Sequence, residues 1–356
     1  MSVSPLESLR SYRQPLEQSV ESVLNDFLSE LPDYSEDVRW AFDTLKEYSL
    51  RPSKRVRGTL AAALYDEVTG QEKSLTGLRL GAAIEFVQNH LLIVDDVMDR
   101  SLTRRGRPTV HEVYKADFNY EDEHQSNMMA ILVGMLAQYV TNHALTTLDA
   151  DAESRLRVLS VLQRHIAITD MGQVDDLSRS ITRPPVSEED LLRKYRQKSS
   201  YYSFVDPIET ALLLAGKDEV IAQRDAEAFG IPAGVTFQLR DDYLGIFGDT
   251  SATGKPNLDD IQEGKYTLMI HFALEKADAD QKSKIHKILG NAESNEADLE
   301  VIQKILNETG ASKRAMAEAA RYAAEAKASL ERVSSWSPEF SRRLEALVDF
   351  SMERTA

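Results

Sequence analysis

Apolar residues recur every three to four positions along most of this chain, the spacing of amphipathic helices. Leu16–Leu31 and Ser35–Tyr48 show it first, and both read as packing elements. TLAAALYDEVTG continues it after Gly58, and Leu75–Asp99 forms a long helix. Met128–Leu148 is the most apolar stretch, with Met128, Met129 and Met135 read as core filler. Leu156–Leu177 follows. Pro184 and Pro185 break the pattern, and Ser187 then opens a new helix with Asp190 three residues on, a capping-box arrangement. Beyond Asp278 come charged helices and the Ala-rich ASKRAMAEAARYAAEAKASL, an outer scaffold. The predicted fold is all-α.

Two of the apolar helices end in paired carboxylates. FVQNHLLIVDDVMDRSLTRRGRP, Phe86 to Pro108, runs into Asp95, Asp96 and Asp99 and then into Arg104, Arg105 and Arg107. Positions four apart share a helix face, so Asp95 and Asp99 point the same way, with Asp96 close by. Stacking like charges there is unfavourable, and burial adds to the cost. A cation offsets it. Mg²⁺ takes one or two carboxylates and completes its shell with water and substrate phosphates. The arginines can reach the same phosphates in bidentate geometry. Alone, this stretch also reads as a solvated acidic helix end followed by a basic loop. FQLRDDYLGIFGD, Phe237 to Asp249, repeats the arrangement with Asp241 and Asp242, and Lys255 and Lys265 follow. Two copies point to a metal–diphosphate clamp with two jaws. In RPSKRVRG, Lys54, Arg55 and Arg57 cluster at a predicted helix start, where cations oppose the macrodipole. A bound anion would resolve that conflict; a solvated basic turn is the alternative.

Composition narrows the partners. The 356 residues contain no Gly/Ser or Pro-rich linker, so one domain over 1–356 is expected, with the motifs in about 40–275 and outer helices in about 276–356. A net charge of −16 argues against nucleic acid and anionic lipid, but a local cluster of cations and metal still admits an anionic substrate. There is no cysteine, hence no disulfide or thiolate metal site. MSVSPLESLRSYRQPLEQ lacks the apolar core of a secretory signal, and no uninterrupted apolar run approaches ~20 residues. A cytoplasmic chain without a membrane span is expected.

The two acidic stretches resemble the aspartate-rich motifs of trans-isoprenyl diphosphate synthases, the farnesyl and geranylgeranyl diphosphate synthases, in order and spacing over roughly residues 40 to 275. The resemblance implies a single-domain helical bundle of the isoprenoid synthase type with a central cavity. It implies three Mg²⁺ held by Asp95, Asp99 and Asp241, with Asp96 beside them and Asp242 and Gln238 in support. Arg104, Lys198, Ser199, Lys255 and Lys265 would hold the allylic prenyl diphosphate, with Asp260 orienting the last two. Lys54, Arg57, Gln88 and Arg105 would hold isopentenyl diphosphate. Pro52, Ser53 and Gly58 depart from the family's Gly-Gly-Lys-Arg-x-Arg-Pro. Met135 stands where Asp is common, and Gly245 where the second motif has its third Asp; Asp249 lies four residues later. Gln173 and Asp175 or Asp176 would face the cavity, or close an ordinary helix. The chain ends SMERTA without the basic tail of some relatives, so any closure over the site is absent or made differently.

His90 and Leu91 lie about 7.5 and 6 Å before Asp95 along the helix axis. Family members carry bulky aromatics there that stop elongation at fifteen carbons. His90 and Leu91 open that floor and favour geranylgeranyl diphosphate, although His90 also reads as a hydrogen-bonded core histidine. A homodimer follows from the resemblance. The alternatives are a farnesyl diphosphate synthase, a class I terpene cyclase and a non-catalytic synthase subunit. Lys54, Arg57 and Arg105 argue against the cyclase, and the two leading Asp pairs against the silent subunit.

Overall fold

A computed structural model describes residues 5–119, 122–182, 186–248 and 257–354. Lys255, Asp249, Pro184 and Pro185 lie outside them. The helices are α1 (Pro5–Arg10), α2 (Arg13–Ser29), α3 (Glu36–Leu50), α4 (Val56–Thr69), α5 (Leu75–Met98), α6 (Val110–Phe118) and α7 (Glu123–Thr146). Then come α8 (Ala152–Thr182), α9 (Glu188–Tyr195), a π-helical stretch (Arg196–Val205), α10 (Asp206–Leu214) and α11 (Glu219–Phe247). Six shorter or outer helices follow among the described residues, from Asp259–Gln262 to Pro338–Glu353. The chain is all-α apart from one two-stranded hairpin, Thr103–Arg104 with Arg107–Pro108, among the described residues.

Two compact units are present: Met1–Arg164 with Asp206–Ala226 and Ser334–Arg343, and His165–Val205 with Glu227–Val333 and Leu344–Ala356. In the first, α5 is the hub, packed on α7, α4 and α2. Gly58 is where α4 and α5 cross: a Cβ there would lie 2.7 Å from the Gly81 carbonyl. That crossing accounts for glycine where the family has proline. α5 closes on Asp99, and Arg100 adopts a positive φ of 55°.

α7 corrects one expectation. Ala130, Val133, Gly134, Ala137 and Val140 form its buried face. Its large residues lie outside: Met128 is 44% exposed and Met135 39%, with Ile131, Leu132 and Tyr139 in the same stripe. Met129 is half-buried. Met128 and Met135 are therefore not core filler, because close helix packing takes the small residues. By length and composition α7 is also apolar enough to cross a bilayer, a property that a search for uninterrupted apolar runs misses.

In the second unit, Leu191, Val235, Leu239, Leu268, Phe272 and Ile302 belong to one buried core. The capping box at Ser187 and Asp190 is complete. Three glycines admit the widened π turns. A Cβ at Gly172 would lie 2.4 Å from Lys198 N, at Gly234 2.3 Å from Ser200 Cα, and at Gly230 2.8 Å from Val205 Cγ2. Such π insertions recur at functional sites.

Candidate active site

In the first unit the members of the Asp95–Asp96 pair have separate fates. Asp96 is 1% exposed and accepts from Arg104 Nε at 2.6 Å and from Tyr48 Oη at 3.4 Å. The Asp95 side chain is 21% exposed and touches Arg104 Nη2 at 3.3 Å. Burial lowers the Arg104 pKa, but Asp96, Tyr48 and Asp95 outweigh it and raise it. Arg104 is thus fixed from beneath by Asp96 beside the more open Asp95. Asp99, half-buried, caps the same helix end.

The hairpin sets the next cation. Its two turn residues, Arg105 and Gly106, have φ of 56° and 70°, the left-handed pair that a tight two-residue hairpin requires. Arg105 lies 5.9 Å from the Tyr48 ring centroid. Burial lowers its pKa, and its buried Nη1 has no hydrogen-bond partner. A desolvated donor without a partner is unfavourable until something accepts from it. Arg107, the cross-strand partner of Arg104, instead pairs with Glu47 at 2.5 Å.

The basic loop before α4 also divides. Arg55 is 2% exposed, with Nη1 on Glu85 Oε2 at 2.9 Å, while Glu85 Oε1 accepts from Gly58 N at 3.0 Å. Lys54 is exposed and Arg57 half-buried. Ser53 Oγ, where the family has glycine, is buried without a partner. On α5, Gln88 and Leu91 are half-buried, and His90 Nδ1 lies 2.9 Å from the Gly134 carbonyl. The hydrogen bond is present, on a half-buried rather than a core histidine. Met135, in the exposed stripe, leaves that contact untouched.

In the second unit Lys198, on the π segment, pairs with Asp176 Oδ2 at 2.6 Å, and the buried Lys194 takes Asp176 Oδ1 at 2.7 Å. Burial raises the Asp176 pKa, and the two lysines outweigh it and hold it well below the usual carboxylate range. Asp176 is the carboxylate that meets Lys198, while Asp175 pairs with Arg179. Gln173 is half-buried.

A relay then runs to the second pair. Ser199 Oγ donates to Gln238 Oε1 at 2.5 Å, and Gln238 Nε2 donates to Asp242 Oδ1 at 2.7 Å. Tyr195 Oη donates to Asp242 Oδ2 and accepts from Leu268 N at 2.9 Å. Asp242 is 7% exposed, and burial pushes its pKa up to about 6 against these partners and Lys194. The Asp241 side chain, at 55%, is exposed and bonds Arg354 at 2.9 Å. Gly245 has a physical reason: a Cβ there would lie 2.1 Å from Asp260 Oδ2. The Asp260 carboxylate fills the space that a side chain at 245 would take. Asp260 also bonds Lys265 at 2.8 Å, as Glu263 does at 2.7 Å.

Sequence reasoning missed Glu85, Tyr48, Tyr195, Lys194 and Arg354. Each acts through a partner distant in the chain, and none carries a local signal. Among the described residues no three acidic or imidazole groups form a ready-made metal cage. The more open Asp95 and the exposed Asp241 are single carboxylates, the kind of donor that Mg²⁺ combines with water and phosphate oxygens.

Comparison with known proteins gives the family. The sequence profile of polyprenyl synthetases matches residues 39–307. The geranylgeranyl diphosphate synthase of Saccharolobus solfataricus is 30% identical over 277 residues, covering 76% of this chain and 78% of that one. The geranylfarnesyl diphosphate synthase of Aeropyrum pernix is 32% identical over 313 residues, 85% of this chain and 90% of its own. The crystal structure of a geranylgeranyl pyrophosphate synthase from Corynebacterium glutamicum, complexed with isoprenyl diphosphate and magnesium, superposes with a TM-score of 0.89 at 29% identity, over 97% of this chain and 99% of that one. With both acidic motifs in order on an all-α fold, the chain belongs to the polyprenyl synthetase family, the trans-isoprenyl diphosphate synthases, and is a prenyltransferase.

Proposed function

We propose that the chain condenses isopentenyl diphosphate with an allylic diphosphate in a head-to-tail step and releases geranylgeranyl diphosphate. The observation that carries this is Arg105, a half-buried arginine whose buried Nη1 has no hydrogen-bond partner, one residue from the Arg104 that bonds Asp95. A metal face and an anion seat adjoin there, as a two-diphosphate reaction needs.

Asp95, Asp99 and Asp241 are the proposed ligands of three Mg²⁺. The bound metal supplies charge that neutralises a departing diphosphate. Asp96 positions Arg104 against the allylic diphosphate, with Lys198, Ser199, Lys255 and Lys265. Lys198 must exchange Asp176 for phosphate to do so. Lys54, Arg57, Gln88 and Arg105 hold isopentenyl diphosphate with its double bond over the allylic carbon, an orientation effect. The C–O bond of the allylic substrate breaks, the new C–C bond forms, and the proton lost passes to the released diphosphate. We read the two units as one isoprenoid synthase domain. The exposed α7 stripe, Met128 to Tyr139, supports a homodimer rather than a membrane span. The cysteine-free composition fits the cytoplasm.

Two measurements test this. Asp95→Ala should lose turnover by far more than the roughly 10–100-fold typical of a group behind the ligands; full activity would end the clamp. The purified protein should then be given isopentenyl diphosphate, Mg²⁺ and five-, ten- or fifteen-carbon starters. Geranylgeraniol after dephosphorylation supports the opened floor at His90 and Leu91. Farnesol alone means that another residue, on α7, closes it. A cyclic hydrocarbon or no product overturns the proposal.

A further inference from the structure

The exposed Asp241 carboxylate holds a nearly buried arginine: the side chains are 55% and 8% exposed. Arg354 follows directly on the helix Pro338–Glu353. Its Nη2 donates to Asp241 Oδ1 at 2.9 Å and to the Phe237 carbonyl at 3.1 Å. Its guanidinium carbon lies 4.0 Å from the centroid of the Phe237 ring. Its carbonyl accepts from Arg240 Nε at 3.1 Å and Nη2 at 2.7 Å. Every partner lies within little more than one turn of α11. Stacking, two side-chain hydrogen bonds and a returned backbone bond make a built seat rather than a chance surface pair.

We propose that Arg354 is the resident counter-ion of Asp241, that metal binding expels it, and that the end of the 338–353 helix is thereby a latch on the second acidic turn. This rests on Asp241 being a metal ligand, as proposed above. Mg²⁺ binds carboxylate oxygen at about 2.0–2.1 Å and demands near-octahedral surroundings filled by water and phosphate. A guanidinium seated on the same carboxylate occupies one of those directions and repels the incoming cation at short range. The two cations therefore compete. The latched state lowers apparent metal affinity by the fraction of molecules that must first release Arg354. Metal loading in turn frees Arg354 and loosens the turn that carries it.

The test is Mg²⁺ titration by calorimetry on the full chain with inorganic diphosphate present. The variants are Arg354→Met, which keeps a long apolar chain against Phe237, and Asp241→Ala. Arg354→Met should half-saturate at roughly three- to tenfold lower Mg²⁺ than the wild type. Hydrogen exchange over residues 348–353 of the unaltered protein should quicken when Mg²⁺ and diphosphate are added, and this needs no variant to fold. Equal or weaker metal binding by a folded Arg354→Met, or exchange that stays the same or slows, overturns the latch. Wild-type metal binding by Asp241→Ala overturns instead the assignment of Asp241 as a ligand.

Discussion

Asp96 and Asp242 are the second residues of two Asp-Asp pairs, and both are buried beneath a more exposed first member. Their neighbours differ in kind. Asp96 meets the Arg104 guanidinium, a charge that cancels its own. Asp242 meets a phenol and a carboxamide, Tyr195 and Gln238, which donate hydrogen bonds but carry no charge. One environment makes an ion pair and the other pushes a carboxyl up to about 6. Identical dipeptides thus yield a fixed cation in one unit and a titratable relay in the other. What separates them is the residue that folding brings alongside.

The largest expected break in this contrast comes from Arg104→Met. It leaves Asp96 buried beside Tyr48 without a compensating charge, which costs roughly 3–5 kcal/mol. Urea unfolding should show a loss of unfolding free energy of that order. The double variant Asp96→Leu with Arg104→Met should recover most of it, since removing both charges removes the penalty. A single variant within about 1 kcal/mol of wild type would mean that Tyr48 alone satisfies Asp96. In the second unit, Tyr195→Phe removes no charge and should not reach that size.

Gly245→Asp sharpens the comparison from the other side. It restores the family's third aspartate, yet its Cβ would lie 2.1 Å from Asp260 Oδ2. The added carboxylate meets one already in place. The expected result is a stability loss of about 1–3 kcal/mol and no tighter Mg²⁺ binding. Adding Asp260→Ala should relieve the loss. Improved activity in Gly245→Asp alone would show that the place is vacant after all.

These contrasts mark where sequence reasoning reaches and where it stops. Local rules carried the helices: the Ser187–Asp190 capping box and the end of α5 at Asp99 follow from residues adjacent in the chain. The acidic pairs and their order were legible for the same reason. Hydrophobicity alone could not tell which face of α7 is buried, because Met128 and Met135 are as apolar as the core but bulkier than the Gly134 crossing admits. Arg55 looks like Lys54 and Arg57 in sequence and differs through Glu85, thirty residues away, and the Ser49 carbonyl. Asp260 and Gly245 form one unit of packing split across two helices, so the motif reads as broken. Arg354, more than a hundred residues from Asp241, has no local signature.

The smallest predicted effect is the most specific to Asp242. Its carboxyl moves from an ordinary 3.8 up to about 6, chiefly through burial. A raised pKa means that the folded protein holds this proton more tightly than the unfolded chain. The stabilising contribution is therefore complete below about pH 4 and is lost as pH rises through 6. Above that the buried charge persists at a cost of roughly 3 kcal/mol at most. Asp242→Asn removes the charge. The relay tolerates an amide, because Gln238 can flip to accept from Asn and donate to Ser199, whose hydroxyl rotates to suit. At pH 8 the variant should gain about 1–2 kcal/mol in chemical unfolding, and at pH 4 the gain should vanish, since wild-type Asp242 is then neutral too. The same series on Asp96→Asn should show no such gain at pH 8, because there the charge is matched by Arg104. A gain at Asp242 that is constant from pH 4 to 8 would place its origin in packing, and the distinction between the two pairs would then rest on geometry alone.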